Sequence, residues 1–346
     1  MRRLPAPLRG LVLDHLRFPD VLSATTTDRT GRALLGSVRR LSGVNDRVMS
    51  SPHLLNKVPL CEVIHIESRN ALVFERLAWA LQTLRHLRGV AVRFAKDTDE
   101  TAWRQSCTTL SKSPELGRLR MFRPDGTLTN GSTGCDEFKS LLLGLDPDCA
   151  LVAALAWRCP AAWISELIRR GANPNGEYQS FRGRRTDPER ILEFACSHGQ
   201  VEVIRVLLEA GAIPPDREGS RMTDAFVNAM MGESLDILRL LFDSGHRSSF
   251  RSIPHGWNLL HCFALSFETN DAATSLSMVE LICERQPSLL TQVSDSGCTP
   301  LMHLTQQHCY DLFRPNDPQP DRDASFKSLA KCMVSHEARR YASLSE

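Results

Sequence analysis

Between residues 163 and 245 the chain repeats one pattern of apolar and polar positions three times. Val203-Ile204-Arg205-Val206-Leu207-Leu208-Glu209-Ala210-Gly211 aligns with Ile237-Leu238-Arg239-Leu240-Leu241-Phe242-Asp243-Ser244-Gly245, 34 residues downstream. It also aligns with Trp163-Ile164-Ser165-Glu166-Leu167-Ile168-Arg169-Arg170-Gly171, 40 residues upstream. The apolar residues fall on one broad face, which predicts a short amphipathic helix, and the final Gly suits the left-handed position that closes one. A shorter apolar run precedes each helix, at residues 151–156, 192–196 and 226–230. Its small side chains, among them Ala153, Ala154, Ala195 and Cys196, permit close approach of neighbours. The unit is therefore helix, tight turn, longer helix, Gly, loop, and it needs neighbours of its own kind to bury its apolar face.

Two further units follow in the same register. Gly256-Trp257-Asn258-Leu259-Leu260-His261 opens one, continued by Met278-Val279-Glu280-Leu281-Ile282-Cys283 with Gln286 in place of the closing Gly. Asp295-Ser296-Gly297-Cys298-Thr299-Pro300-Leu301 opens the other, with a partner helix expected at 326–334 beyond a polar insert at 314–323. These openings and the 34-residue step resemble the ankyrin repeat, whose opening reads Gly-x-Thr-Pro-Leu-His. The resemblance implies a mainly α solenoid of about five repeats over residues 146–346, the outer two degenerate. It departs from the family at Met302, which stands in the His slot with His303 one residue late. The rival reading is an ordinary helical domain with a chance Leu-Leu-x-x-Gly recurrence. A long insert at 175–188 carries Arg182, Arg184 and Arg185 and reads equally as a ligand contact or as solvated padding.

Upstream, the period changes. Val63-Ile64-His65-Ile66, Val90-Ala91-Val92-Arg93-Phe94 and Leu119-Arg120-Met121-Phe122 read as short strands. An amphipathic helix through Leu72, Leu77, Leu81, Leu84 and Leu87 separates the first two, and a weaker one at 101–110 separates the second and third. A strand and helix at this period is loosely similar to leucine-rich repeats, without their Leu and Asn signature; a small parallel α/β spacer fits residues 46–145 as well. At the N-terminus Leu8, Val12 and Leu16 lie four apart with Leu13 alongside, giving an apolar helical stripe that Phe18-Pro19 ends. With Leu4-Pro5 ahead of it and Asp20-Val21 after it, residues 1–45 resemble an F-box. Thr27 and Gly31 depart from that family's later positions. The resemblance implies docking on the acidic adaptor subunit of a cullin-RING (SCF-type) ubiquitin ligase through Leu4, Pro5, Val12, Leu13 and Leu16. The alternative is that these residues merely cap the neighbouring segment.

Composition narrows the function. The 346 residues are 42% hydrophobic and 24% charged, as expected of a folded chain of two or three domains. Residues 1–145 carry 22 Lys and Arg against 14 Asp and Glu, whereas the remainder carries 20 against 26. The first 45 residues hold eight Arg against three Asp, a balance that suits an acidic partner. A diffuse basic excess and an aromatic share of 6% argue against nucleic acid. Eleven cysteines without a Cys-x-x-Cys pair point to free thiols in a reducing compartment, intracellular and either cytoplasmic or nuclear. Charged residues interrupt any signal-peptide core, and prolines at 5, 7 and 19 suit a targeting helix poorly. No apolar run approaches the roughly 18 residues of a membrane span.

Chemistry-bearing motifs are missing. There is no Gly-x-Gly-x-x-Gly, phosphate loop or Gly-x-Ser-x-Gly, His336-Glu337 lacks its second His, and Cys298, His303, His308 and Cys309 do not give a four-ligand zinc spacing. The expectation is a non-enzymatic adaptor without metal or cofactor, its solenoid binding a protein through loop tips near Asn173, Asn175, Asp216, Ser248 and Asp295. The alternatives are a plain ankyrin scaffold with no ligase link, or an enzyme or zinc protein with a site assembled in three dimensions.

Overall fold

The computed structural model describes residues 40–45, 60–68, 73–94, 100–125, 136–179, 188–213, 224–252, 255–266, 272–312 and 320–344, together with Val38 and Val58. Leu4, Pro5, Val12, Leu13, Leu16, Asp216 and the three arginines of the 175–188 insert lie outside these residues. The described residues form 13 helices and six strands, in two compact units that divide between Asn173 and Pro174.

In the first unit β1 (Arg40–Asn45), β2 (Val63–Ser68), β3 (Gly89–Phe94) and β4 (Met121–Asp125) make one parallel sheet in chain order. The register sets Val63 opposite Gly89 and Gly89 opposite Met121. Parallel neighbours need a crossover, and α1 (Val73–Thr83) and α2 (Glu100–Ser111) supply two of them. Leu77, Leu81, Leu84 and Leu87 are buried, as are Trp103, Cys107 and Leu110 of α2 and Ile64, Ile66 and Val90 of the sheet. Arg118, on the turn before β4, donates to the carbonyls of Leu81 and Leu84 and satisfies the C-terminal end of α1. The three expected strands are present. β1 joins them from within the first 45 residues, paired with β2 through Arg40 to Val63 and Val44 to Ile66.

The same unit contains α3 (Asp136–Gly144), α4 (Pro147–Ala156) and α5 (Ala161–Arg169). α3 packs on α2, and α4 packs on α3, α5 and β4. Rings lock this corner: Trp157 stacks on Trp103 at 4.7 Å and on Phe138 at 4.4 Å, and Phe138 lies 6.4 Å from Trp163.

The second unit consists of helix pairs: α6 (Ile191–His198) with α7 (Val201–Glu209), then α8 (Ala225–Met231) with α9 (Leu235–Asp243). α10 (Leu259–Ser266) with α11 (Ala272–Arg285), and α12 (Pro300–Leu312) with α13 (Pro320–Leu344), complete it. The first helices pack in the order α6, α8, α10, α12 and the second in the order α7, α9, α11, α13. These four pairs make the second unit a mainly α, ankyrin-type helical-repeat solenoid, and α4 with α5 in the first unit is a fifth pair of the same pattern among the described residues.

Burial distinguishes the two helix types. α8, flanked by α6 and α10, hides Ala225, Phe226, Val227, Ala229 and Met230, and α6 is buried from Ile191 through Cys196. Second helices bury one stripe: Val203, Ile204 and Leu207 in α7, and Ile237, Leu238, Leu241 and Phe242 in α9. The closing glycines Gly171, Gly211 and Gly245 take φ of 102°, 84° and 83°. In each case the next N–H reaches back to the helix, from Ala172 to Leu167, Ala212 to Leu207 and His246 to Leu241.

Candidate functional site

The turn that opens each first helix recurs at Arg190, Asp224 and Asn258, each immediately before its helix. Each closes with different chemistry. Arg190 donates its backbone N–H to the buried Glu193 carboxylate at 2.9 Å. Asp224 accepts from the Phe226 N–H at 2.7 Å and the Val227 N–H at 3.4 Å. It is buried, and burial pushes its carboxyl up to about 6 against the lowering effect of those two bonds.

At Asn258 the turn is an amide and an imidazole. The Asn258 N–H donates to His261 Nδ1 at 3.2 Å, while Asn258 Oδ1 accepts the His261 N–H at 3.1 Å and lies 2.8 Å from Nδ1. His261 Nε2 then bonds the Cys298 carbonyl at 2.9 Å, and Asn258 Nδ2 donates to the Leu289 carbonyl at 2.8 Å. Burial lowers the His261 pKa, assisted by His303 and Arg251, with the Cys298 bond opposing. In the last pair Met302 takes the His place: the Thr299 N–H meets its sulfur at 3.5 Å and Thr299 Oγ1 accepts the Met302 N–H at 3.3 Å. The displaced His303 turns to other partners, a hydrogen bond between its Nε2 and Ser294 Oγ at 3.4 Å and the rings of His261 and Trp257.

Side-chain clasps tie consecutive loops. Asn175 donates to the Gly211 carbonyl at 2.9 Å and accepts the Ile213 N–H at 2.8 Å. Gln286, where the repeat pattern expects Gly, does the same to Ser248, accepting its N–H at 2.9 Å and donating to its carbonyl at 2.7 Å. Ser248 is itself buried. Asn173 is exposed and its N–H donates to Asp148 Oδ1 at 2.7 Å. Asp295 is exposed, pairs with Arg251 at 3.1 Å and donates its N–H to the His255 carbonyl. Its carboxylate rests on Gly256, whose left-handed φ of +63° favours Gly and where a Cβ would displace that carboxylate. The 175–188 insert begins and ends in β5 (Glu177–Gln179) and β6 (Pro188–Arg190), an antiparallel pair that leads into α6.

Solved structures to which the chain is similar include ankyrin repeat proteins. Against the ankyrin repeat protein EF0377 the identity is 16% and the TM-score 0.41, over 57% of this chain and 90% of that one. An ankyrin repeat domain of Acinetobacter baumannii, ABAYE2397, gives 16% and 0.40 over 56% and 81%. The ankyrin repeat domain of Bcl-3 gives 16% and 0.37 over 55% and 69%. No protein-family model and no curated protein matches the chain. The repeat assignment rests on the helix pairs themselves, their glycine closures and the 34-residue recurrence of their opening turns.

Among the described residues no group of three His, Cys, Asp or Glu side chains is placed to hold a metal ion. No described helix is long and apolar enough to cross a membrane. Cys196, Cys262 and Cys283 are buried, and burial raises their thiol pKa values, to about 12 for Cys262 and Cys283. Thiols in that state are packing groups and poor nucleophiles. Sequence reasoning named the loop tips, and Trp257 and His303 only as members of repeat openings or of a zinc spacing that fails, and it passed over His255. The signal of these three rings is a Trp and two His close to two repeat openings.

Proposed function

We propose that this chain is a non-enzymatic adaptor whose stacked helix pairs hold a protein partner. The observation that carries the reading is the row of linked repeats: their opening turns and loop clasps are satisfied within the chain, which presents exposed loop residues such as Asn173 and Asp295 on a preorganised frame. Rigid loops lose little freedom on binding, which favours recognition over chemistry. The finer part of the proposal is that the basic N-terminal segment docks the acidic adaptor of a cullin-RING ubiquitin ligase through Leu4, Pro5, Val12, Leu13 and Leu16. The eight arginines and the Leu-Pro opening support it.

A scaffold without a ligase link is the second reading. The pairing of Arg40–Asn45 with β2 favours it, because the end of the N-terminal segment is committed to the sheet. The two separate in one experiment. Full-length chain and chain lacking residues 1–37, cut ahead of β1, are used to capture purified adaptor and cullin. Recovery by the first alone supports docking, and loss of recovery on Leu13→Asp localises it. Recovery by neither removes the ligase link and leaves the scaffold.

A further inference from the structure

At the junction of the last two helix pairs four rings form one cluster. His255 stacks on Trp257 at 4.4 Å, Trp257 meets the edge of His303 at 5.8 Å, and His303 meets His261 at 5.2 Å. His261 is buried and held by Asn258 and the Cys298 carbonyl, so it forms a fixed floor. The other three rings reach the surface: His255 is exposed, and Trp257 and His303 are half-buried. Ser252 fixes the loop that carries His255 and Trp257. Its hydroxyl accepts the Trp257 N–H at 3.0 Å, its N–H donates to the Trp257 carbonyl at 2.9 Å and its carbonyl accepts the Gly256 N–H at 2.8 Å. Among the described residues the His255 ring and the Trp257 indole N–H have no hydrogen-bond partner.

Imidazoles dominate the patch. Three imidazoles from α10, α12 and the loop before α10 converge with the Arg251 guanidinium, and the carboxylate that faces them, Asp295, is already paired with Arg251. We infer that this patch receives a carboxylate from an acidic segment of the protein partner, with the Trp257 ring as the anchor beside it. The inference rests on the adaptor reading and specifies which part of the solenoid binds and what it recognises. A preformed, partly exposed Trp flanked by imidazoles and a guanidinium has the composition of a binding hot spot. Burial and then the neighbouring His255 hold His303 below the ordinary histidine pKa. A carboxylate seated on the patch opposes both effects, so binding takes up protons and tightens as pH falls toward 6.

The test titrates the full-length chain into a fluorescein-labelled octaglutamate peptide, followed by anisotropy at pH 7.5 and 6.0, with an oligothymidylate of equal length as a second probe. The wild-type chain binds the peptide about fivefold more tightly at pH 6.0, the size of one or two partly exposed ion pairs. His255→Gln, an exposed substitution that leaves the melting curve unchanged, loses about half of that difference, and adding His303→Gln removes it. Trp257→Ala weakens the peptide at both pH values. No binding, equal affinity at both pH values, variants that bind as wild type does, or tighter binding of the oligothymidylate each overturns the inference. A failed titration by a chain that still captures a protein partner through its repeats removes the acidic segment alone. Failure of both removes the adaptor reading as well.

Discussion

Asp224 is an N-cap with a conflict in it. Its carboxylate satisfies two orphan N–H groups at the start of α8, yet it is buried and holds its proton up to about pH 6. An unfolded Asp releases that proton near its ordinary value of 3.8. The stability this proton uptake confers is therefore full below about 3.8 and lost as pH rises through about 6. Above that the folded chain carries a desolvated charge. Asn caps a helix as well as Asp does and has no charge to bury. Asp224→Asn should stabilise the chain at pH 7.5, on the order of 1–2 kcal/mol, with the gain shrinking toward pH 4.5. Urea unfolding of both proteins at the two pH values checks this, and a gain independent of pH would show that the carboxyl titrates normally.

The amphipathic second helices were the most legible elements, because one buried stripe leaves a 3.6-residue period in the sequence. α7 and α9 lie where Val203 to Gly211 and Ile237 to Gly245 place them. The ends of α11 and α13 were less legible. α11 begins at Ala272, ahead of the expected Met278, and α13 runs from Pro320 to Leu344 around the expected 326–334. Their added turns are rich in Ala and Ser and, in α13, in Asp and Arg, so they carry no apolar period. β1 was unreadable for another reason: Arg-Leu-Ser-Gly-Val-Asn has weak strand preference and becomes a strand through the hydrogen bonds that β2 offers. Loop clasps leave no local mark either, since Gln286 and Ser248 meet only after two helices have folded. Gln286→Ala leaves the N–H and carbonyl of buried Ser248 without their partner, at a cost of about 1–3 kcal/mol. Gln286→Gly, which restores the repeat pattern, should be no more stable than the Ala variant. Recovery of wild-type stability in thermal or urea unfolding would contradict the clasp.

At the scale of the whole molecule, the low aromatic content is concentrated in effect. Trp103, Phe138, Trp157 and Trp163 gather in the first unit, where the sheet and its helices meet the first helix pair. The sequence boundary expected near residue 145 therefore passes through this cluster, and the compact unit extends to Asn173. A fragment ending at Leu145 should lose cooperative melting, because Trp103 and Phe138 lose the indole that stacks on both. A fragment ending at Asn173 should keep it, with blue-shifted tryptophan emission; equal behaviour of the two would refute the cluster's role. The four opening turns in the second unit have a further consequence. The Asp224 turn strengthens on acidification, because its carboxyl is raised. The turn built on His261, and His303 beside it, weakens as pH falls below about 6.5, because those imidazoles are lowered. Neighbouring repeats thus respond to protons with opposite sign, and in a nearest-neighbour array the site where unravelling starts moves along the chain as the medium changes. Acidification from neutral pH thus favours the Asp224 turn and disfavours the His261 turn, and amide hydrogen exchange at the two turns should shift in opposite directions.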